Sequence, residues 1–433
     1  MFEAYDTLAE TPAHELALEC LQAGIEAASP QRAVEKHCEI DGDTLRIRKA
    51  TYDLSAYDSI EILGGGKAAD DLAAAFESLL GERVAGGVVV TNERTSDPER
   101  VTVLEGEHPT PGGGSVSGSA AVLDRAAEAD DRTLVIAAIA GGGSALMCAP
   151  AEGLSVDEMQ AVTDGLLDAG ASIDEINIVR RACSKIKGGG LVAAAAPATV
   201  VGILVSDVVG DDMTVIASGP TVPTATDPDA AIEVLERYGV DVPTVHEWLQ
   251  GAEPTEPTEA SVENHIIASV RDAVDAARDV ATEADYETCV LSTRIEGEST
   301  QAGRFHAAIA MESTLSGDPV APPAVLLSGG ETTVRVTGDG IGGPNQEFAL
   351  AAASGLPESA VLGAVDTDGG DGSTDAAGAL IDGTTVDDLD AARRALADND
   401  SYTYLDSKSA LLRTGATGTN VNDLRVLVIP RGD

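Results

Sequence analysis

Positive charge is what this chain has least of. It carries 27 Lys+Arg against 73 Asp+Glu in 433 residues, a formal net charge of −46. Nucleic-acid binding needs cations that replace phosphate counterions, and docking on anionic membranes needs basic patches. Neither a nucleic acid nor a membrane is therefore an expected partner. Lysine is scarcer still, with six in the chain: Lys36, Lys49, Lys67, Lys185, Lys187 and Lys408. Aromatic residues make up 3%. The acid is spread along the chain rather than gathered in a tail. Such a surface suits concentrated salt, where dissolved cations screen self-repulsion, and it points to a halophilic source.

Cysteine pairs and histidine clusters are missing too. Cys20, Cys38, Cys148, Cys183 and Cys289 never fall at CxxC spacing, which reads as buried free thiols in a reducing cytoplasm. The six histidines form no HExxH, so a His/Cys zinc site is not expected. The opening MFEAYDTLAETPAHELALECL lacks the apolar core of a signal peptide. Gly188–Ser206 is uncharged, but four glycines and Pro197 cut it into a helix (LVAAAA) and a buried strand (ATVVGILVS), a soluble core.

What is present is a repeating unit. An apolar run ends in a glycine cluster, and the cluster opens a helix. Ser59–Leu63 leads into Gly64-Gly65-Gly66-Lys67 and AADDLAAAFESLL, Thr133–Ala140 into Gly141-Gly142-Gly143-Ser144, and Val200–Val205 into SDVVGDD. Strands alternating with helices predict an α/β fold with a parallel sheet covered on both faces. Pro and Glu alternate in GAEPTEPTEA (251–260) without an apolar period. The expected organisation is an N-terminal domain at 1–245, a linker at 246–260 and a C-terminal domain at 261–433. A helix is predicted over 263–283 and another near 299–313. Strands are predicted at 324–330, 332–338 and 359–369.

The glycine turns are candidate anion cradles. Gly64-Gly65-Gly66-Lys67-Ala68-Ala69 fits GxGxxA, where backbone N–H groups and a helix N-terminus meet a phosphate; a tight turn without a ligand gives the same pattern. It is not a Walker A loop, because Lys67 is followed by Ala. A chain this poor in lysine nevertheless keeps Lys67 at the mouth of the turn. Arg180, Arg181, Lys185 and Lys187 crowd into eight positions ahead of Gly188 and its glycine neighbours, a pattern for a specific anion. Gly142, Gly143 and Ser144 form a further binding turn; Ser144 is no nucleophile elbow, because GxSxG is absent.

Carboxylates follow the strands. Asp207 sits after a buried strand, where ligands bind in open α/β sheets. Asp366, Asp368 and Asp371 cluster in DTDGGD, which fails the EF-hand pattern. Clustered Asp oxygens suit Mg²⁺ held with substrate phosphates, and an Asp can accept a hydroxyl proton. Glu331, Asn345 and Gln346 are polar points beside strands; the two amides could contact a hydroxylated ligand or cap the next helix.

Taken in order, HPTP (108–111), AGGGSAL (140–146), INIVRRACSKIKGGGL (176–191), SDVVGDD (206–212), ASGPTVP (217–223), SGGETTV (328–334), GGPNQEFAL (342–350), DTDGGDGSTDAAGA (366–379) and GATGTNVNDL (415–424) resemble the glycerate 2-kinase (class II glycerate kinase, MOFRL) family. The resemblance spans nearly the whole chain. It implies a Rossmann-like N-terminal domain, a smaller α/β C-terminal domain with a mixed sheet, and a site in the cleft between them. It implies ATP- and Mg²⁺-dependent phosphorylation of D-glycerate to 2-phosphoglycerate. Lys67, Asp207 and Arg180 are then the catalytic candidates. Gly64, Gly65, Gly66, Gly142, Gly143, Ser144, Arg181, Lys185, Lys187, Gly188, Glu331, Asn345 and Gln346 are the binding candidates, and Asp366, Asp368 and Asp371 the metal ligands. Partners are the small-molecule substrates, with a homodimer as the assembly. The chain departs from the family pattern at Pro344, where GGRNQE has Arg, and at Gly190, Gly112 and Ala416. Arg180, Arg181 or Arg304 would supply the charge lost at Pro344. The alternative is an NAD(P)-dependent hydroxypyruvate reductase using Gly64–Ala69. Its ribose-binding acid would be Glu93, 29 residues after Gly64, against about 20 in the dinucleotide fingerprint.

Overall fold

The computed structural model describes residues 1–431. Its contacts form two compact units, Pro30–Ile267 and a second one made of Met1–Ser29 with the chain from Ala268 onward. Among the described residues, no helix is long and apolar enough to cross a membrane.

The Pro30–Ile267 unit begins with an antiparallel meander, Cys38–Asp41, Thr44–Ile47 and Ala50–Asp53, which the sequence reading missed. A six-stranded sheet follows, in the order Val101–Glu105, Val84–Thr91, Ser59–Gly65, Thr133–Ile139, Thr199–Val205, Val262–Ala268. The first four adjacent pairs are parallel. Numbered along the chain, this is the 3-2-1-4-5-6 order of the Rossmann fold, with the order reversing between Ser59–Gly65 and Thr133–Ile139. Every residue of Thr133–Ile139 is buried, as a central strand covered on both faces requires. Glu61 lies within this buried region and is matched by a two-pronged contact from Arg125, at 3.0 and 2.6 Å. A helical layer packs on its own core of Met159, Val162, Leu166, Val234 and Leu249. Its helices Val156–Asp168 and Ile173–Ala182 both open on capping boxes, Ser155 with Glu158 and Ser172 with Glu175.

In the second unit the sheet order is Glu287–Glu298, Ala324–Thr333, Asp423–Ile429, Val361–Asp366, Gly378–Asp382, Leu411–Leu412. The first pair is parallel and the others are antiparallel, so the expected mixed sheet is present. Helix Pro12–Ala27 packs on Val270–Glu283 and on the central strand Asp423–Ile429. Gly24 makes that approach possible: a Cβ there would lie 2.3 Å from a methyl of Leu424 and 3.0 Å from the Ala273 carbonyl.

Four expectations change. The first 29 residues belong with the C-terminal unit rather than with 1–245, because the apolar face of Pro12–Ala27 finds its cover there. The Pro/Glu stretch is not a boundary; it leads into Val262–Ala268, an edge strand of the Pro30–Ile267 sheet. The 263–283 helix is a strand followed by a helix that starts at Val270, with Ser269 and Asp272 forming a capping box. The strands expected at 324–330 and 332–338 are one strand, Ala324–Thr333. Gly330 is required inside it, since a Cβ there would come within 2.2 Å of the Ile295 carbonyl oxygen on the next strand.

Candidate active site

Ligands bind open α/β sheets at the carboxyl ends of the strands where the order reverses. In the Pro30–Ile267 unit that point lies between Gly65 and Ile139, so the turns carrying Lys67 and Gly141–Ser144 flank it. They are tied together: the Lys67 N–H donates to the Gly141 carbonyl at 2.7 Å, and the Thr91 hydroxyl to the Lys67 carbonyl at 3.2 Å. The next strand contributes Asp207, whose carboxylate accepts the Gly142 N–H at 3.1 Å. Gly142 has φ 75°. A methyl there would reach within 3.0 Å of the His108 ring and 3.1 Å of Lys67 Cγ. Lys67, His108, Gly142 and Asp207 therefore surround one spot. His108 was missed as a site residue, although it opens the quoted HPTP motif.

Two glycines of the first turn have another explanation. A Cβ on Gly64 would lie 1.9 Å from the Ala138 carbonyl oxygen, and one on Gly66 2.4 Å from that of Ala140. Strand-to-strand packing demands glycine at both, whatever is bound there.

The basic cluster divides by role. Lys185 is exposed. Lys187 is buried, and its Nζ donates to the Ser144 carbonyl at 2.7 Å, so it braces the Gly143–Leu146 turn from within. Arg181 donates to the Thr214 carbonyl at 2.7 Å. Among the described residues Arg180 makes no carboxylate contact; burial lowers its pKa, opposed by Cys148. Gly188 donates its N–H to the Ser218 carbonyl at 3.1 Å, which holds the KGGG turn against the same layer.

Burial, with Arg180 and Arg181 nearby, pushes the Lys187 ammonium from its ordinary 10.5 down to about 7. The folded pKa is thus below the unfolded one. Above pH 7 the folded chain has released a proton that the unfolded chain still holds, so stability rises with pH. Asp371, raised to about 7 in the folded chain, loses its proton over the same range and opposes the rise up to about pH 7.5, and the thiols of Cys20, Cys38 and Cys183, raised by burial to about 12, oppose it towards pH 9 and beyond. The melting midpoint should therefore climb between about pH 7.5 and 8.5. Lys187→Met should flatten that climb; an unchanged slope in this variant would refute the assignment.

The second unit holds a buried acid–amide network. Asp371 accepts the N–H groups of Asn345 at 2.9 Å and Gln346 at 2.8 Å, one on each carboxylate oxygen. It caps helix Pro344–Ala353 at the positive end of the helix dipole. Burial still pushes its pKa up to about 7. Asn345 Nδ2 reaches Asp423 at 2.6 Å, and Gln346 Nε2 reaches the Thr374 hydroxyl at 2.7 Å. Both amides are thus packed into the unit. Asp366 is held well above the usual carboxylate range by burial, then by Asp368 and Asp423. The expected three-Asp metal set is not assembled, because Asp371 spends both oxygens on the helix. Among the described residues, no group of three or more His, Cys, Asp or Glu is placed to hold a metal. Glu331 stands exposed on its strand, abreast of Glu296. Asp423 and Arg425 were also missed, although Asp423 lies in the VNDL motif.

Residues 16–250 match a domain of unknown function, DUF4147, and residues 324–423 match the MOFRL family. A D-glycerate 2-kinase of Thermotoga maritima is 39% identical over 424 residues, 96% of this chain and 98% of the relative. A protein of Agrobacterium vitis named putative hydroxypyruvate reductase is 40% identical over 379 residues, 85% of this chain and 98% of the relative. The crystal structure of a Thermotoga maritima glycerate kinase superposes with a TM-score of 0.85 at 38% identity, covering 96% of this chain and 99% of that one. With near-complete coverage on both sides and the MOFRL match in its C-terminal half, the chain belongs to the glycerate 2-kinase family.

Proposed function

We propose that the chain transfers the γ-phosphoryl group of ATP to O2 of D-glycerate, giving 2-phosphoglycerate and ADP. The observation that carries this reading is Arg180. In a chain of net charge −46 it is a largely desolvated guanidinium without a carboxylate partner, in a cluster braced on the Gly143–Leu146 turn. A half-buried cation of that kind is suited to an anionic reactant. Phosphoryl transfer depends mostly on positioning and on neutralising charge. Lys67 and Arg180 supply that charge on the reactants, and Arg180 fixes the glycerate carboxylate. Asp207, held on the Gly142 N–H, takes the proton of the O2 hydroxyl as the O2–P bond forms and the bond to the leaving ADP breaks.

At Gly142 a Cβ would crowd the His108 ring and the Lys67 stem, at 3.0 and 3.1 Å, so glycine keeps that backbone uncovered between the two side chains, where an N–H group can face a phosphate. For Mg²⁺, Asp366 and Asp368 would serve as ligands. Their mutual repulsion favours a divalent cation, and magnesium with substrate phosphates needs only one or two carboxylates. Held there, the ion would supply positive charge for a phosphate-bearing reactant.

The reductase reading draws on the Rossmann strand order and on the Agrobacterium vitis name. Its glycine fingerprint is accounted for by the packing of Gly64 and Gly66. One experiment separates the two readings. The protein is given D-glycerate with ATP–Mg²⁺ and, in parallel, hydroxypyruvate with NAD(P)H. The kinase product is passed to enolase with and without phosphoglycerate mutase. Consumption by enolase alone supports transfer to O2; a need for the mutase means O3 and refutes the regiochemistry. Activity only in the hydroxypyruvate arm refutes the kinase. We also infer a salt-adapted source, so the same assay and a melt are run in molar KCl and in dilute buffer. A higher midpoint in KCl is expected, and equal midpoints would remove that inference.

A further inference from the structure

Ser144 ends a buried hydrogen-bond chain. Its hydroxyl lies 3.0 Å from that of Ser218, which lies 2.9 Å from the side-chain oxygen of Asn177. Asn177 and Ser218 are fully buried, and the Asn177 amide nitrogen has no hydrogen-bond partner among the described residues. Each hydroxyl has one proton, so the chain has a direction. If the Asn177 oxygen faces Ser218, Ser218 donates to Asn177 and Ser144 donates to Ser218. Ser144 then presents only lone pairs outward, and two buried amide protons stay unpaired. A half-turn of the amide reverses everything. Asn177 Nδ2 donates to Ser218, Ser218 donates to Ser144, and the Ser144 proton is free to point outward.

The second direction is favoured for two reasons. The turned amide leaves one proton and its oxygen unpaired in place of two protons, and an orphaned buried N–H is rarer than an orphaned carbonyl oxygen. Ser144 is also the residue whose carbonyl holds Lys187, in the cationic cluster with Arg180, where lone pairs facing an anion would repel it. We propose that Asn177 is a positioning residue that acts through Ser218 to turn the Ser144 hydroxyl into a donor for the anionic reactant. The proposal rests on the anion-binding site of the kinase reading and adds a residue that never touches the reactant.

The test uses the full-length protein with inorganic phosphate as the probe, its binding measured by calorimetry, alongside KM and kcat for D-glycerate. Ser144→Ala and Asn177→Leu should each weaken phosphate binding about tenfold, as loss of one hydrogen bond to a charged group does. The double variant should be no weaker than Ser144→Ala alone, because Asn177 acts only through Ser144. A merely structural Asn177 would instead add its effect in both backgrounds, and that result, or full affinity in Asn177→Leu, overturns the proposal. Should Asn177→Leu not fold, Ser218→Ala replaces it in the same cycle, with the same expected coupling and the same overturning result. Wild-type protein that takes up no phosphate overturns the relay too. The kinase reading is judged separately, by the enolase-coupled assay, so either can fail without the other.

Discussion

Lys67→Ala is expected to lower kcat/KM for glycerate phosphorylation by about 10²–10⁴-fold while leaving the protein folded. The reasoning separates backbone from side chain. The turn is held by the Lys67 N–H on the Gly141 carbonyl and by Thr91 on the Lys67 carbonyl, and neither contact uses the side chain. Gly64 and Gly66 are pinned by the adjacent strand. Lys67→Ala therefore removes the charge while leaving both of these backbone contacts in place. That charge stands at the reversal of strand order, beside Gly142 and one residue before the Ala69–Leu80 helix begins its cap. Both the helix N-terminus and the ammonium favour negative charge there. The control is the thermal midpoint, which should stay within a few degrees of wild type. A folded variant with near-normal activity would remove Lys67 from the mechanism.

The largest stability effect is expected in the other unit. Arg425 is 1% exposed in the middle of the central strand Asp423–Ile429. It contacts Asp423, donates to the Thr332 hydroxyl at 2.8 Å, and lies over the Phe348 ring at 4.6 Å. Asp423 also accepts the Thr332 N–H at 3.0 Å and Asn345 Nδ2 at 2.6 Å. Arg425→Met should cost about 3–5 kcal/mol in urea unfolding, because a buried carboxylate is left without its counter-charge. The double variant Arg425→Met with Asp423→Asn should recover most of that loss. The Nε and Nη1 of Arg425 have no hydrogen-bond partner among the described residues, so the native pair is itself incompletely compensated. A single-variant loss below about 1 kcal/mol would mean that water reaches Asp423 and that the pair is not truly buried.

Much was legible in the chain itself. A charge of −46 set the expectation against polyanion partners without any fold, because that expectation needs only composition. The strand–glycine–helix units were readable because each is local: an apolar run, a residue able to take an unusual turn, a helix start. The ordered motifs carried the family. The scarcity of lysine singled out Lys67, and the structure sets it at the reversal of strand order.

Tertiary structure decided what depends on partners distant in sequence. Periodicity in Pro12–Ala27 showed an apolar face but could not say that Val270–Glu283 and the last strand cover it. Alternation in Val262–Ala268 was masked by the helix that follows, and only the neighbouring strand Thr199–Val205 made it an edge strand. Asp371 and Asp366 look alike in DTDGGD. One is consumed by a helix start 25 residues earlier, and the other is left beside Asp368. Lys187 and Arg180 look alike as cations. One is turned inward onto the Ser144 carbonyl, and the other has no carboxylate to meet. A sequence states which groups are charged or apolar. Which of them are already satisfied is settled only when the sheet order brings their partners within hydrogen-bonding distance.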